Sequence, residues 1–356
     1  MEGDLVRTNE WLTPLSWLYG MGVALRNALF DMDVLESRSY KIPVICVGNL
    51  TVGGTGKTPH VEYLVRLLSE DYRVAVLSRG YRRRSRGFVL ADSQTPMEQI
   101  GDEPWQMKQK FGDRAMVAVD ANRCRGIEQL QAQGAEVILL DDAFQHRAVT
   151  AGLSILLVDY NRLITDDSLL PAGRLREPAS GKDRADIIVV SKCPAGLSPI
   201  HFRLVSDKLA PRPFQSLFFS TLRYGPLRQL AGREERSLDA LRQDSTRVLL
   251  ISGIGSPRQL ENDLRPYASH IVHLAFPDHH YFSSADARRI NQAFQRLTEP
   301  RIAITTEKDA TRLIRLEGLD EEVSRRLYVL PVEVEIMRDK TQQFNDKILR
   351  YVQQNS

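Results

Sequence analysis

GNLTVGGTGKTP, residues 48–59, is the stretch whose reading decides the fold. It follows the apolar run IPVICV (42–47) and opens a segment in which Val61, Leu64, Val65 and Leu68 recur at helical spacing. Strand, glycine-rich turn and helix in that order are the setting of a phosphate loop. Gly53, Gly54 and Gly56 let backbone N–H groups turn toward phosphate oxygens with no Cβ in the way. Thr51, Val52 and Thr55 complete the loop, and Thr51 stands where the generic pattern has its first glycine. Lys57 is expected to reach the β- and γ-phosphates of a nucleotide, and Thr58 to put its hydroxyl on Mg²⁺. Pro59 suits a first helical turn, where its missing N–H costs little.

Outward from this loop, short apolar runs alternate with helical patterns. Strands are expected at 73–78, 116–120, 136–141, 154–159 and 186–190. Their hydrophobicity is continuous rather than alternating, which predicts a parallel sheet covered on both faces. One of them, VILLDD (137–142), ends in two carboxylates. Phosphate-loop NTPases place an aspartate there to hold the Mg²⁺ shell, which makes Asp141 and Asp142 candidate metal ligands. A proline-spaced stretch (Pro194, Pro199, Pro211, Pro213) precedes a second strand series at 216–222, 247–252, 270–275, 301–305 and 327–334. The expected organisation is a phosphate-loop α/β domain over 1–214, a smaller α/β domain over 215–337 and a charged helix over 338–354.

A length of 356 residues fits two domains at about 150 residues each. With 42% hydrophobic and 26% charged residues the composition excludes disorder, collagen and a polytopic membrane protein. The net charge of +3 implies no global attraction to polyanions. Cys46, Cys124 and Cys193 are odd in number and widely spaced, which speaks against a disulfide framework and for a reducing cytoplasm. The apolar stretch WLTPLSWLYGMGVALRNALF (11–30) lacks the features of a signal peptide. Pro14 and Arg26 interrupt it as a membrane span, and Trp11, Trp17 and Tyr19 suit the headgroup zone of a membrane surface. A helix packed on the protein's own core is the alternative.

Other segments carry candidate chemistry. RGYRRRSRG (79–87) has five arginines and no acid. It is either a solvated loop or an anion clamp of bidentate guanidinium forks, and its place after a strand at the sheet's C-terminal edge favours the clamp. In GDEP (101–104), Asp102 and Glu103 can cap a helix or serve as a general base. PDHHYF (277–282) sets Asp278 beside His279 and His280, one of which could meet a carboxylate from the other domain over an acceptor hydroxyl. PAGRLREP (171–178) brings Arg174, Arg176 and Glu177 between prolines.

Taken in order, GNLTVGGTGKTP, SRGYRRR (78–84), GDEP, DDAFQHR (141–147), LPAGRLREP (170–178) and FPDHHYF (276–282) resemble the tetraacyldisaccharide 4′-kinases, the lipid A 4′-kinases of Gram-negative bacteria, over nearly the whole chain. The resemblance implies transfer of the ATP γ-phosphate to the 4′-hydroxyl of a tetraacyldisaccharide 1-phosphate, with Mg²⁺. It also implies work at the cytoplasmic face of the inner membrane with the N-terminal helix as docking element. It implies two α/β domains joined by a two-stranded linker, here about 216–222 and 328–334, with the last helix returning to the first domain. By position it makes Asp102 the catalytic base with His279 as partner, and Asp141 and Asp142 the Mg²⁺ and phosphate-transfer carboxylates. Glu177 becomes a further carboxylate on the metal side, and Arg79, Tyr81, Arg82, Arg83, Gln145, His146 and Arg174 become substrate contacts.

Two rival classes fit less well. A phosphate-loop GTPase or metallochaperone reads guanine with N/T-K-x-D, and neither SKCP (191–194) nor TEKD (306–309) matches. A nucleic-acid-binding module would interleave aromatic residues with the arginines, and only Tyr81 lies among them.

Overall fold

The computed structural model describes residues 8–355 apart from 256 and 279. Strands form where branched apolar residues run together. Val44–Asn49 (β1), Val74–Ser78 (β2), Val89–Leu90 (β3), Ala115–Val119 (β4), Val137–Asp141 (β5), Leu153–Asp159 (β6), Ile187–Ser191 (β7) and Ser216–Tyr224 (β8) come first. Leu227–Gln229 (β9), Glu235–Arg236 (β10), Arg247–Ser252 (β11), Ile271–Ala275 (β12), Arg301–Thr306 (β13), Leu327–Leu330 (β14) and Val332–Ile336 (β15) follow. Among the described residues they build a nine-stranded sheet in the order β15-β8-β7-β6-β1-β5-β2-β4-β3 and a six-stranded sheet in the order β10-β9-β14-β13-β11-β12. The chain divides into two compact units, one running to Leu222 and resuming at Val334, the other Arg223–Glu333.

In the first unit, β1, β5, β6, β2, β4, β7 and β8 pair in parallel, and both faces of β1, β2, β5 and β7 are buried. Its helices are Thr13–Asp31 (α1), Lys57–Leu68 (α2), Met97–Ile100 (α3), Asp102–Phe111 (α4), Arg123–Ala132 (α5) and Pro199–Leu209 (α6). One core layer gathers Ile127 and Leu130 of α5 with Phe202, Val205 and Leu209 of α6. The opposite layer gathers Val61, Leu64, Val65 and Leu68 of α2 with Met107 and Phe111 of α4. This is the continuous-strand, helix-on-both-faces architecture of a phosphate-loop domain.

The second unit holds Leu238–Gln243 (α7), Pro257–Leu264 (α8), Ser284–Gln295 (α9), Glu307–Leu313 (α10) and Glu321–Arg325 (α11). Its strands β11, β12, β13 and β14 are parallel, and β9 and β10 join them antiparallel at one edge. The last helix, Thr341–Asn355 (α12), buries Phe344, Ile348 and Val352 in the core of the first unit. Tyr351 Oη both donates to the carbonyl and accepts from the N–H of Val44, at 3.1 Å each, where β1 begins.

Three sequence expectations change. The smaller unit does not start at 215: β8 pairs with β7 from Ile187↔Ser216 to Val190↔Phe219 and buries Phe218 and Phe219 in the first unit. The run 327–334 is two strands, because Pro331 has no N–H for a ladder and separates β14 of the smaller sheet from β15 of the larger. The large sheet is not wholly parallel, since the short strand β3 lies antiparallel to β4 at its edge.

Helix α1 buries only Ser16 and Phe30. It is held by polar contacts: Ser16 Oγ donates to the Leu169 carbonyl (3.0 Å) and Tyr19 Oη to that of Arg176 (2.9 Å). Trp11 and Trp17 are 92% and 73% exposed, and Leu18, Met21 and Leu25 are exposed as well. No helix among the described residues is long and apolar enough to cross a membrane.

Candidate active site

Strands β1, β5 and β2 are parallel neighbours, so three of the sequence motifs leave the same edge of the sheet. The glycine loop follows β1, Asp141 and Asp142 end β5, and the arginine-rich loop follows β2. Ligands of open α/β sheets bind along this carboxyl edge.

Gly53 and Gly56 sit at φ +110° and +80°, a region that side chains with a Cβ rarely adopt, and Gly56 forms the N-cap of α2. Gly56, Lys57 and Thr58 therefore open a helix whose positive end faces the loop. Side chains brace the loop from below. Asn49 Nδ2 donates to Thr55 Oγ1 (2.8 Å), and Ser191 Oγ to the Thr55 carbonyl (2.8 Å). A second segment braces it from the side. The Val52 N–H donates to the Arg174 carbonyl, the Arg176 N–H to the Leu50 carbonyl, and Thr51 bridges Leu175. Arg174 thus meets the phosphate loop through its backbone, while its side chain is exposed.

At the end of β5 the two acids differ. Asp142 Oδ1 is 3.7 Å from Lys57 Nζ and accepts from Arg176 Nη2 at 2.8 Å, with Arg176 Nη1 3.4 Å from Oδ2. Burial pushes its carboxyl up, but Lys57, Arg176 and Arg123 outweigh burial and hold it below the ordinary range. Asp141 is 2% exposed, and its Oδ1 has no hydrogen-bond partner among the described residues. Burial, then the charges of Glu103 and Asp142, push its carboxyl up to about 7, against Lys57 and Arg123. A buried carboxylate oxygen left without a partner among the described residues, within reach of the charges of Lys57 and Asp142, fits a Mg²⁺ site. Among the described residues no group of three His, Cys, Asp or Glu could hold a metal by itself.

Glu177, the other expected metal-side carboxylate, is 2% exposed; its Oε2 accepts from Arg184 (2.6 Å) and Asn27 (3.4 Å), and its Oε1 has no hydrogen-bond partner among the described residues. Gln145 Nε2 donates to the Asn49 carbonyl at 2.8 Å. His146 is held neutral, down to about 4, by burial and by the nearby charges of Arg123, Arg26 and Arg79. Arg79 therefore belongs to this cationic cluster.

The arginines after β2 are not equivalent. Arg83 turns inward and donates to the carbonyls of Val119 (3.1 Å) and Gly87 (2.8 Å), so it builds the loop. Arg82 and Tyr81 are exposed, with the Arg82 guanidinium 5.3 Å above the Tyr81 ring. The loop packs on the start of α4 at Gly101, where φ is +91° and a Cβ would lie 2.8 Å from the Tyr81 carbonyl oxygen. Asp102 is the first residue of α4, after this glycine cap. His279 lies outside the described residues.

The family model described as Tetraacyldisaccharide-1-P 4′-kinase matches residues 8–353. The chain belongs to that family. It is 54% identical to a tetraacyldisaccharide 4′-kinase of Phocaeicola vulgatus, over 100% of this chain and 98% of that one. It is 50% identical to one of Bacteroides fragilis, over 100% of this chain and 96% of that one. The crystal structure of LpxK from Aquifex aeolicus in complex with ATP superposes with a TM-score of 0.72 at 31% identity, covering 97% of this chain and 99% of that one. As a tetraacyldisaccharide 4′-kinase family member, the chain has phosphate-loop kinase architecture. The GTPase alternative is not favoured, and neither of its two guanine-motif candidates is free: Lys192 is paired with Asp159 (2.8 Å), and Asp309 is buried in the first turn of α10 and accepts from the Gly253 N–H (2.9 Å).

Three contributors to this kinase site have roles that the sequence does not show, Glu103 being there a candidate cap or general base. Arg176 was one arginine of a loop; its fork on Asp142 depends on pairing between segments far apart in the chain. Arg123, 2% exposed, supplies a positive charge to Asp141 and Asp142 from the first residue of α5. Glu103 acts on Asp141 from the residue beside the expected base.

Proposed function

We propose that this chain transfers the γ-phosphoryl group of ATP to the 4′-hydroxyl of a tetraacylated glucosamine disaccharide 1-phosphate at the cytoplasmic face of the inner membrane. The observation that carries the reading is the Lys57–Asp142–Arg176 constellation, set between a glycine loop and a strand-end acid pair in a chain of this kinase family. ATP lies with its phosphates over the glycine loop and the N-terminus of α2. The 4′-hydroxyl oxygen forms a bond to the γ-phosphorus as the bond to the ADP oxygen breaks, and the hydroxyl proton passes to Asp102. The transition state of such a transfer is loose, so the protein mainly positions groups and offsets charge. Lys57 and Arg176 supply fixed positive charge at the transferring group. A base late in a loose transfer need not be strong, which suits a carboxylate at a helix N-terminus. His279 is the proposed partner of Asp102. Thr58, Asp141 and Asp142, with Glu177 as a further carboxylate, would hold Mg²⁺, which would supply Lewis-acid neutralisation of the phosphate oxygens.

The remaining expected contacts, Arg79, Tyr81, Arg82, Gln145, His146 and Arg174, line the acceptor side, with Arg83 shaping their loop. The exposed apolar residues of α1 dock the enzyme on the bilayer that holds the acceptor lipid, with Trp11 and Trp17 at headgroup depth. ATP-dependent labelling of purified tetraacyldisaccharide 1-phosphate in detergent micelles tests the reading, with Lys57→Ala as control. Asp102→Ala is expected to keep ATP affinity and lower kcat by about 10²–10⁴-fold, the usual contribution of a general base. No labelled lipid with intact protein overturns the assignment, and an Asp102→Ala enzyme within about tenfold of wild type overturns the base.

A further inference from the structure

His60, three residues beyond the lysine of the phosphate loop, is 4% exposed, and among the described residues its ring bonds only uncharged groups. Its Nδ1 lies 2.7 Å from the carbonyl of Gly56, and its Nε2 lies 3.0 Å from Ser220 Oγ in β8. A carbonyl can only accept, so Nδ1 carries the proton. In the neutral ring Nε2 then accepts from the Ser220 hydroxyl, which is itself fully buried. Next to this contact, Ser191 Oγ, also fully buried, donates to the carbonyl of Thr55. Two consecutive loop carbonyls are thus each met by a buried side chain, Thr55 by Ser191 of β7 and Gly56 by His60 of α2, which is itself braced by Ser220 of β8.

The peptide plane converts this into a statement about the other side of the loop. In a trans peptide the C=O and the following N–H point in opposite directions, and the Thr55–Gly56 and Gly56–Lys57 bonds are not among the cis bonds of the chain. Drawing the Thr55 and Gly56 carbonyls inward turns the N–H groups of Gly56 and Lys57 outward, toward an anion lying over the loop. Gly56 caps α2 at φ +80°, and its carbonyl also accepts the His60 backbone N–H, at 3.3 Å. The ring Nδ1 contact at 2.7 Å is the shorter of the two, so losing it leaves the carbonyl, and with it the Lys57 N–H, held only by the longer helical bond.

We propose that His60 is a positioning residue for the phosphoryl donor: through the relay Gly56 carbonyl–His60–Ser220 it fixes the orientation of the loop peptide whose N–H meets the nucleotide phosphates. The role rests on the kinase reading only in that the nucleotide is the ligand of the loop. His60 touches no substrate. Its removal acts on the donor and leaves the acceptor lipid alone.

The test compares His60→Phe, His60→Asn and Ser220→Ala in the full-length protein. Phe keeps a ring of similar size and removes both nitrogens. Asn keeps an N–H donor for the Gly56 carbonyl and gives up Ser220. MgATP binding is measured directly by calorimetry, followed by KM for ATP, KM for the acceptor lipid, and thermal unfolding. Removing the shorter of the two donors to the Gly56 carbonyl, while the helical N–H bond stays, predicts ATP binding weaker by about 3- to 12-fold in His60→Phe. The acceptor KM stays within about twofold, and His60→Asn recovers most of the loss. Ser220→Ala weakens ATP binding by about two- to fivefold. His60→Phe that binds ATP within about twofold of wild type, or that raises both KM values alike, overturns the proposal. Should His60→Phe fail to fold, Ser220→Ala decides, and a folded Ser220→Ala with wild-type ATP affinity overturns it. Wild-type protein that binds no MgATP at all overturns the kinase reading, and the positioning role falls with it.

Discussion

Replacing Arg176 by Met keeps an unbranched apolar stem and removes every donor of the fork on Asp142. Arg176 gives Asp142 one contact at 2.8 Å and a second at 3.4 Å, and donates as well to the Asn49 carbonyl at 3.1 Å. A hydrogen bond to a charged group contributes about 1.5–3 kcal/mol. The Asp142 side chain is 39% exposed and the Arg176 side chain 23%, so water takes over part of what is lost and the lower half of that range applies. About 1.5–2 kcal/mol corresponds to roughly 10- to 30-fold. The loss is expected in kcat/KM for MgATP, because Asp142 then keeps Lys57 at 3.7 Å and the charge of Arg123 but no hydrogen-bonded guanidinium fork. Arg176→Lys restores the charge without the fork and falls between the two. The assay is steady-state phosphorylation of the acceptor lipid at several Mg²⁺ concentrations, alongside thermal unfolding. A kcat/KM within about threefold of wild type for Arg176→Met refutes the reasoning. So does a loss that tracks the fall in melting temperature and is the same for MgATP and for the lipid.

Gly101→Ala forces a Cβ to within 2.8 Å of the Tyr81 carbonyl oxygen at φ +91°. A stability loss of at least about 1 kcal/mol is expected, with kcat lowered because Asp102 is the next residue; unchanged unfolding and unchanged kcat would contradict this. Burial holds His60 neutral, down to about 4, so between pH 6.5 and 4 the unfolded chain takes up a proton there that the folded chain refuses. Folded stability from this residue is therefore lost as pH falls, at about 1.4 kcal/mol per pH unit. Asp141, raised to about 7, works in the opposite direction over the same range, so the prediction concerns the stability difference between wild type and His60→Phe. Urea unfolding at pH 7 and 5 measures that difference, and one that does not change with pH refutes the assignment. Trp11→Ser with Trp17→Ser is expected to release the protein from vesicles of phosphatidylglycerol and phosphatidylethanolamine while activity on micellar lipid persists. Undiminished co-sedimentation would argue against α1 as the docking element.

Local features of the site were legible in the sequence, and those depending on distant pairing were not. The glycine loop could be read because strand, turn and helix are contiguous, and Asp141 and Asp142 because they end an apolar run. Arg176 could not, since its partner is set by the bridging of Thr51 to Leu175 across the sheet edge. Within the arginine run nothing in composition separates Arg83, which turns in to bind two carbonyls, from Arg82, which stays out. The tethering of the loop by Ser191 and His60 was likewise hidden, because a buried Ser or His carries no pattern of its own. In the fold, strand positions followed from apolar runs, but the strand order and the hand-over at Pro331 did not.

The first unit is interrupted in sequence: β15 and α12 are synthesised only after the whole of the second unit. Val334, Ile336, Phe344, Ile348 and Val352 fill the same core layer as the phosphate-loop helix, and Tyr351 ties itself to the first residue of β1 across 307 positions. Contacts of such separation close late and slow folding. A ribosome-bound chain that already displays GGTGKT therefore lacks the wall against which β1 and α2 are packed. Nucleotide binding is then expected only once α12 has packed against β1 and the layer of α2. A chain that stalls or is clipped short of its last helix is left with an unfinished apolar layer, a mark by which proteases can find it.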